Sequence, residues 1–227
     1  MAYTKTIVCL AHSTKTGGFC VAGKEVQKDG YGGWVRPVSA RASAEVSAAE
    51  CTCDDGKQPQ LLDIIEIPLA KEAPDRHQIE NHEIDAGKWK KIGTLSWEDL
   101  NKLVDKTAPL WIDGQRTYSG VNDCVSGKET EALKGSLVLI KPEKVTIRVG
   151  IEGDLYQKRA VRAYFKHAGV DYALKVTDPV ADEAFRAKKD GEYVLEDVFL
   201  CVSLTEPYDK DKRCHKLAAA IISNKPF

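Results

Sequence analysis

Between Cys9 and Ser39 the chain gathers most of the side chains that can touch a ligand: His12, Ser13, Thr14, Lys15, Thr16, Lys24, Trp34 and Arg36, with Gly17-Gly18 and Gly32-Gly33 among them. Successive backbone N–H groups in a Gly turn can cradle an anion, and Lys15 and Lys24 would add charge to it. A plain hairpin turn uses the same residues. Gly23-Lys24 lacks the spacing and the following helix of a phosphate-binding loop, which excludes an NTPase of that class. On an extended strand Trp34 and Arg36 share a face and Val35 takes the other. An aromatic beside an Arg on a strand can stack a base, worth about 1–3 kcal/mol per base. The competing arrangement puts Trp34 in a core and Arg36 in an internal ion pair.

A second cluster is His77, Asn81 and His82, with Asp75 and Glu80 close by. Imidazoles beside carboxylates can bind a metal or move a proton. No third ligand of matching type accompanies the two His, and Cys51-Thr-Cys53 is too tight for the usual zinc pair. No metal site and no cofactor are expected, and loop packing by hydrogen bonds accounts for His77 and Asn81 as well. Cys9, Cys20, Cys201 and Cys214 lie in or beside apolar runs and read as structural thiols. Cys214 and His215 are adjacent on a strand, so they point to opposite faces and do not form a nucleophile–base pair. Glu66, Asp178 and Glu206 are scattered carboxylates that the sequence does not bring together. Thr177-Asp178-Pro179 and Thr205-Glu206-Pro207 read as strand-ending turns whose acids accept backbone N–H bonds. No catalytic residue is assigned.

The elements that must position these groups are short strands. Apolar, β-favouring runs predict strands at 5–11, 19–26, 34–38, 61–69, 135–140, 145–149, 158–165, 171–176, 193–203 and 215–222. The last, Lys216-Leu-Ala-Ala-Ala-Ile-Ile, suits a helix by propensity as well. Gly23 inside the second strand marks a bulge or a close backbone approach. Turns fall at 12–18 and 29–33, and Pro68 marks the end or the edge of the fourth strand. Ala40–Ala49 suits a short helix, Ser96–Lys106 a helix capped by Ser96 with Asp99 three residues on, and Asp182–Lys189 another. Residues 107–135 read as loop. Many short strands at regular spacing with minor helices predict a mostly β protein of the small-barrel or sandwich class, not a doubly wound fold.

The chain has 227 residues, of which 43% are hydrophobic and 30% charged, enough for a solvated fold with a substantial core. A formal net charge of −1 excludes a strongly basic nucleic-acid binder, while leaving room for a local basic groove. The apolar run before His12 is too short for a signal peptide or a membrane span. A cytoplasmic protein with no membrane partner is the expectation, and the odd count of seven cysteines fits reduced thiols.

The runs IVCLAHSTKTGGFCVAGKE, GGWVRPVS, HQIEN, LKVTDP, LCVSLTEPY and CHKLAAAII together resemble the bacterial dual OB domain-containing protein family. The resemblance covers nearly the whole chain and implies two OB-like β-barrels, expected at 1–130 with a helical insertion and at 131–227, with terminal strands able to cross between them. It also implies a setting in bacterial defence. It supplies no catalytic residues. The function expected is a non-enzymatic binding module for single-stranded nucleic acid or a nucleotide-like ligand, a sensor or adaptor, using His12, Ser13, Lys15, Lys24, Trp34, Arg36, His77 and Asn81. One alternative is an enzyme acting on nucleic acid or a nucleotide, with His77 or His12 as acid/base. Its mark would be His77, Asn81 and a Lys or Arg converging in one polar cleft. The other is an adaptor with a protein partner, marked by exposed apolar strand edges.

Overall fold

The computed structural model describes residues 2–15, 17–107, 109–153 and 157–227; the Thr16 hydroxyl named above lies outside the described residues. The chain divides into two compact units, Met1–Leu103 and Val104–Phe227.

The first unit is built from β1 (Tyr3–Lys15), β2 (Gly18–Gln27), β3 (Gly30–Val38), β4 (Asp63–Glu72), β5 (Asn81–Ile84) and β6 (Lys90–Thr94). Five of them close a circuit. β1 pairs with β2, β2 with β3, β3 with β5 in parallel, β5 with β4, and β4 returns to β1. β1 can serve both ends because it is long. Its first half, Tyr3 to Val8, pairs with β4, and Ile7 to Lys15 pair with β2. A closed five-stranded Greek-key barrel of this kind is OB-like. β6 adds to β4 outside the circuit.

Inside the barrel Ile7, Cys9, Val21, Val35, Ile65, Ile67, Leu69 and Trp89 form the core. Leu10 is the extra residue of a β-bulge, between the pairs Cys9↔Gly23 and Ala11↔Ala22. The absent side chain of Gly23 matters here, since a Cβ would lie 1.9 Å from the Val8 carbonyl oxygen. The close approach expected at Gly23 is therefore present.

Several local expectations are corrected. His12–Lys15 continue β1 instead of turning, because each pairs with a residue of β2. The next turn is only Lys28-Asp29, and Gly30–Gly33 belong to β3. Pro68 does not end β4, which runs on to Glu72. It falls where the neighbour changes from β6, last paired at Glu66, to β5, first paired at Leu69. Ala40–Ala49 is not helical: Val46 bridges to Phe19 by two backbone hydrogen bonds, of 2.8 and 3.0 Å, and Ala44 has a φ of 60°. Ser96–Lys106 yields only a 3-10 turn over Glu98–Leu103, with the Asp99 N–H donating to Ser96 Oγ at 3.3 Å.

The second unit holds β7 (Cys124–Ser126), β8 (Leu137–Ile140), β9 (Lys144–Glu152), β10 (Lys158–His167), β11 (Val170–Val176), α1 (Pro179–Arg186), β12 (Gly191–Glu196), β13 (Val198–Leu204) and β14 (Arg213–Ser223). It repeats the circuit of the first. β9 pairs with β10, β10 with β11, β11 with β14 in parallel, β14 with β13, and β13 with β8. β8 and β9 are consecutive, parted only by Lys141-Pro142-Glu143. Together they do what β1 does alone, one part serving the strand-four partner and the other the strand-two partner. Pro142, with no N–H to give a ladder, sits at the break. Val145, Ile147, Val161, Ala163, Phe165, Tyr172, Leu174, Phe185 and Leu200 fill the core.

α1 starts earlier than the sequence suggests. Asp178 caps it, Oδ1 accepting the Val180 and Ala181 N–H groups, and Oδ2 accepts the Ile221 N–H of β14 at 2.9 Å. The acid of this turn thus accepts backbone bonds, as its sequence suggested. The predicted strand at 193–203 is two strands, β12 and β13, divided at Asp197 with a φ of 50°. KLAAAII is strand, in β14.

The described residues of the 107–135 segment are loop apart from β7 and one 3-10 turn, Glu129–Ala132. The first part of this segment is tied to the second barrel by buried polar contacts. Lys216 Nζ, on a fully buried side chain of β14, donates to Asp113 Oδ1 at 2.9 Å and to the Ile112 carbonyl at 2.8 Å. Tyr172 OH donates to Asp113 Oδ2 at 3.0 Å, and its ring lies 5.1 Å from Lys216 Nζ. Asp123 Oδ1 and Oδ2 accept the Thr117 N–H and hydroxyl, and Oδ2 stands 3.5 Å from the Arg162 guanidinium.

Candidate functional site

The first barrel brings some of the sequence-named residues together, but under cover. Lys24 and Trp34 are register partners on β2 and β3, with Lys24 Nζ 5.7 Å from the indole ring. Arg36 follows on the same face. Lys24 is only 8% exposed and Arg36 only 6%, while Trp34 is half-buried, so this face is not an open groove. Val8 and Leu10 are fully buried although Ile7 and Cys9 already supply the core, so β1 is covered on both sides.

Arg36 makes the internal ion pair that competed with base binding. Its guanidinium lies 3.1 Å from Glu80 Oε1 and donates to Asn81 Oδ1 at 3.3 Å, and Asn81 Nδ2 donates to Gln78 Oε1. The Arg36 N–H also donates to the Glu80 carbonyl. Glu80, Asn81, Gln78 and His77 are all buried. The convergence of Asn81 with an Arg therefore occurs in a packed cluster rather than a cleft. His82, next in β5, meets the Tyr3 hydroxyl at 2.6 Å.

His12 is half-buried with its ring 4.6 Å from Phe19, and burial pulls its pKa down. Ser13 is buried and Lys15 half-buried. At the Gly17-Gly18 turn the Phe19 N–H is taken by the Val46 carbonyl, and Glu45 packs against Gly18. A carboxylate at that place opposes an anion cradle. Burial also pushes the Cys9 and Cys51 thiols up, Cys51 to about 11, so both stay protonated near neutrality. Among the described residues none of the seven cysteines is in a disulfide, and no cluster of His, Cys, Asp and Glu could hold a metal.

The second barrel presents the corresponding face, the outside of its first three strands, partly open. Along β9 the apolar Val145, Ile147 and Val149 turn inward, so Lys144, Thr146 and Arg148 turn outward. On β10 Val161, Ala163 and Phe165 go in, and Arg162, Tyr164 and Lys166 go out. The registers Tyr164↔Thr146 and Arg162↔Arg148 set these outward groups side by side. Arg162 is spent on structure: it pairs with both oxygens of Glu152 at 2.8–2.9 Å and donates to the Ala173 carbonyl. Val121 bridges Ala173 by backbone hydrogen bonds and covers that part of the face.

Half-buried Tyr164 lines two clefts on this face. One, of about 700 Å³, is lined by Lys141, Lys144, Lys166 and His167 with Glu143 and Asp171. His167 Nε2 is 3.0 Å from the Thr107 carbonyl, which can only accept, so that nitrogen carries the proton. The other, of about 770 Å³, is lined by Tyr118, Arg148, Glu152, Asp190 and Glu192. Arg148, Lys144 and Lys166 are exposed, and Tyr118 is 82% exposed. The first-barrel residues named from the sequence line neither cleft.

These second-barrel residues went unnamed in the sequence, although the signal was present. Lys144-x-Thr146-x-Arg148 alternates with Val145, Ile147 and Val149, which marks a strand with a polar, partly basic outer face. Among the described residues, the large apolar side chains exposed on strands, which would mark an adaptor, are Ile92 on β6, Ile151 near the end of β9 and Val194 on β12.

Among known proteins, the model of a family described as a dual OB-containing domain matches residues 5–221. No curated protein matches the chain. Among solved structures, one described as "Molecular basis for abrogation of activation of pro-inflammatory cytokines" is similar at 10% identity over 97% of this chain and 93% of its own, with a TM-score of 0.29. Among the described residues no helix is long and apolar enough to cross a membrane.

Proposed function

We propose that this chain, which belongs to the dual OB-containing domain family, is a non-enzymatic binding module that holds a short single strand of nucleic acid on the outer face of its second barrel. The observation that carries the reading is Tyr164, standing between two clefts on a strand face that also exposes Lys144, Arg148 and Lys166. Small barrels of this class bind through the faces of their inner strands and the adjoining loops. A half-buried ring supplies a stacking surface for a base, and the cations around it meet the phosphates on either side. The near-neutral net charge favours a short strand over a long duplex, because few phosphates would be neutralised. In a bacterial defence setting such a module would serve as a sensor or an adaptor.

The test is the salt dependence of binding. A labelled single strand titrated at low and high salt should bind more weakly as salt rises. Arg148→Ala and Lys144→Ala should each lower affinity and flatten that slope. Lys24→Ala, on the covered face of the first barrel, should leave the slope as it is. No binding by the unaltered protein at low salt would refute the proposal.

A further inference from the structure

We infer that the strand held on this face is RNA rather than DNA, an inference that rests on the binding reading above. Its basis is the unlike chemistry of the two clefts that meet at Tyr164. The first carries three lysines, Lys141, Lys144 and Lys166, against Glu143 and Asp171. Lys166 pairs with Asp171 at 3.0 Å and Lys141 with Asp197 at 2.8 Å, and exposed Lys144 is the cation best placed for phosphate oxygens. The second offers carboxylates instead: Glu152, Asp190 and Glu192, beside the hydroxyl-bearing Tyr118 and Ser119.

Two of these carboxylates are committed. Glu152 grips Arg162 through both oxygens, and Asp190 lies 2.9 Å from Arg159. Glu192 is exposed on β12, in register with Arg148 of β9. A carboxylate repels phosphate and seeks a donor. With phosphates drawn to the lysine cleft and a base on Tyr164, the group that reaches the second cleft is the sugar edge. The ribose 2′-hydroxyl can donate to Glu192, whereas deoxyribose has nothing to offer at that position. The contact is solvent-exposed, so the discrimination is modest, about tenfold.

The experiment uses the whole chain and two labelled single strands of the same base sequence, one RNA and one DNA, with the unaltered protein and Glu192→Ala. The unaltered protein should bind RNA about tenfold more tightly. In Glu192→Ala the RNA/DNA ratio should fall toward one, with DNA affinity unchanged or slightly raised. The ratio is the readout because removing a negative charge changes both affinities alike. Equal affinities for RNA and DNA in the unaltered protein would overturn this inference and leave the single-strand reading standing. An RNA preference that survives Glu192→Ala would overturn the role given to this cleft. Failure to bind either strand would overturn both.

Discussion

Asp113 and Lys216, 103 residues apart in sequence, meet at 2.9 Å beneath the surface of the second unit. Burial pulls the Lys216 pKa down, and the hydrogen bond and charge of Asp113 oppose it. The pair, with Tyr172, ties the segment before β7 to the barrel whose outer face carries the candidate site.

Breaking the pair from one side should be costly. Asp113→Ala leaves an uncompensated buried ammonium, for an expected loss of about 3–5 kcal/mol in a urea titration. Asp113→Ala with Lys216→Met should recover most of that loss, because neither charge is then buried. A single variant as stable as the parent would show that the contact does not hold the segment.

The closed path of the first barrel predicts intolerance at Gly23. Gly23→Ala puts a methyl 1.9 Å from the Val8 carbonyl oxygen, backbone against backbone, where no side chain can yield. A loss of about 3 kcal/mol or more is expected by thermal or urea denaturation. A neutral substitution would contradict the bulged pairing of β1 with β2.

The acid limb of stability should have two parts. His12 and His82 both have pKa values lowered from the ordinary 6.5, chiefly by burial, with the charge of Lys5 adding to it at His82. Below that value the unfolded chain takes up protons that the folded chain refuses, so stability falls as pH drops. Glu50 acts lower. Burial pushes its pKa up, but hydrogen bonds from the Ser47 N–H and hydroxyl and from Arg41, with the Arg41 charge, outweigh that and bring it to about 2. Its contribution is whole above the ordinary 4.5 and is lost as pH falls toward about 2. In a pH series of urea midpoints, Glu50→Gln should flatten the lower part alone, and His12→Gln the upper part alone.

Much of this fold can be read from local pattern. The apolar runs of β1, β2, β4, β9, β10 and β11 stand out because each must bury a face. KLAAAII suits a helix as well as a strand by composition, and its pairing with β13 makes it strand β14. β5 did not stand out. It is four residues, Asn-His-Glu-Ile, whose partners lie far off on β3 and β4, and its burial depends on the Arg36–Glu80–Asn81 contacts. Ala40–Ala49 has helical composition, but the bridge from Val46 to Phe19 decides its path. The site was harder still. Alternation shows that Trp34 and Arg36 share a face; that Lys24 joins them follows from the β2–β3 register, and neither pattern says whether that face is covered. The same alternation in Lys144, Thr146 and Arg148 belongs to a face that stays partly open, a difference that only long-range packing creates.

The most direct measurement is the anisotropy of a short labelled single strand titrated at low salt into the unaltered protein and into Tyr164→Ala/Arg148→Ala. Removing one stacking surface and one cation should weaken binding at least about tenfold, while Lys24→Ala should bind as the parent does. If the double variant binds as tightly as the parent, the outer face of the second barrel is not the binding site.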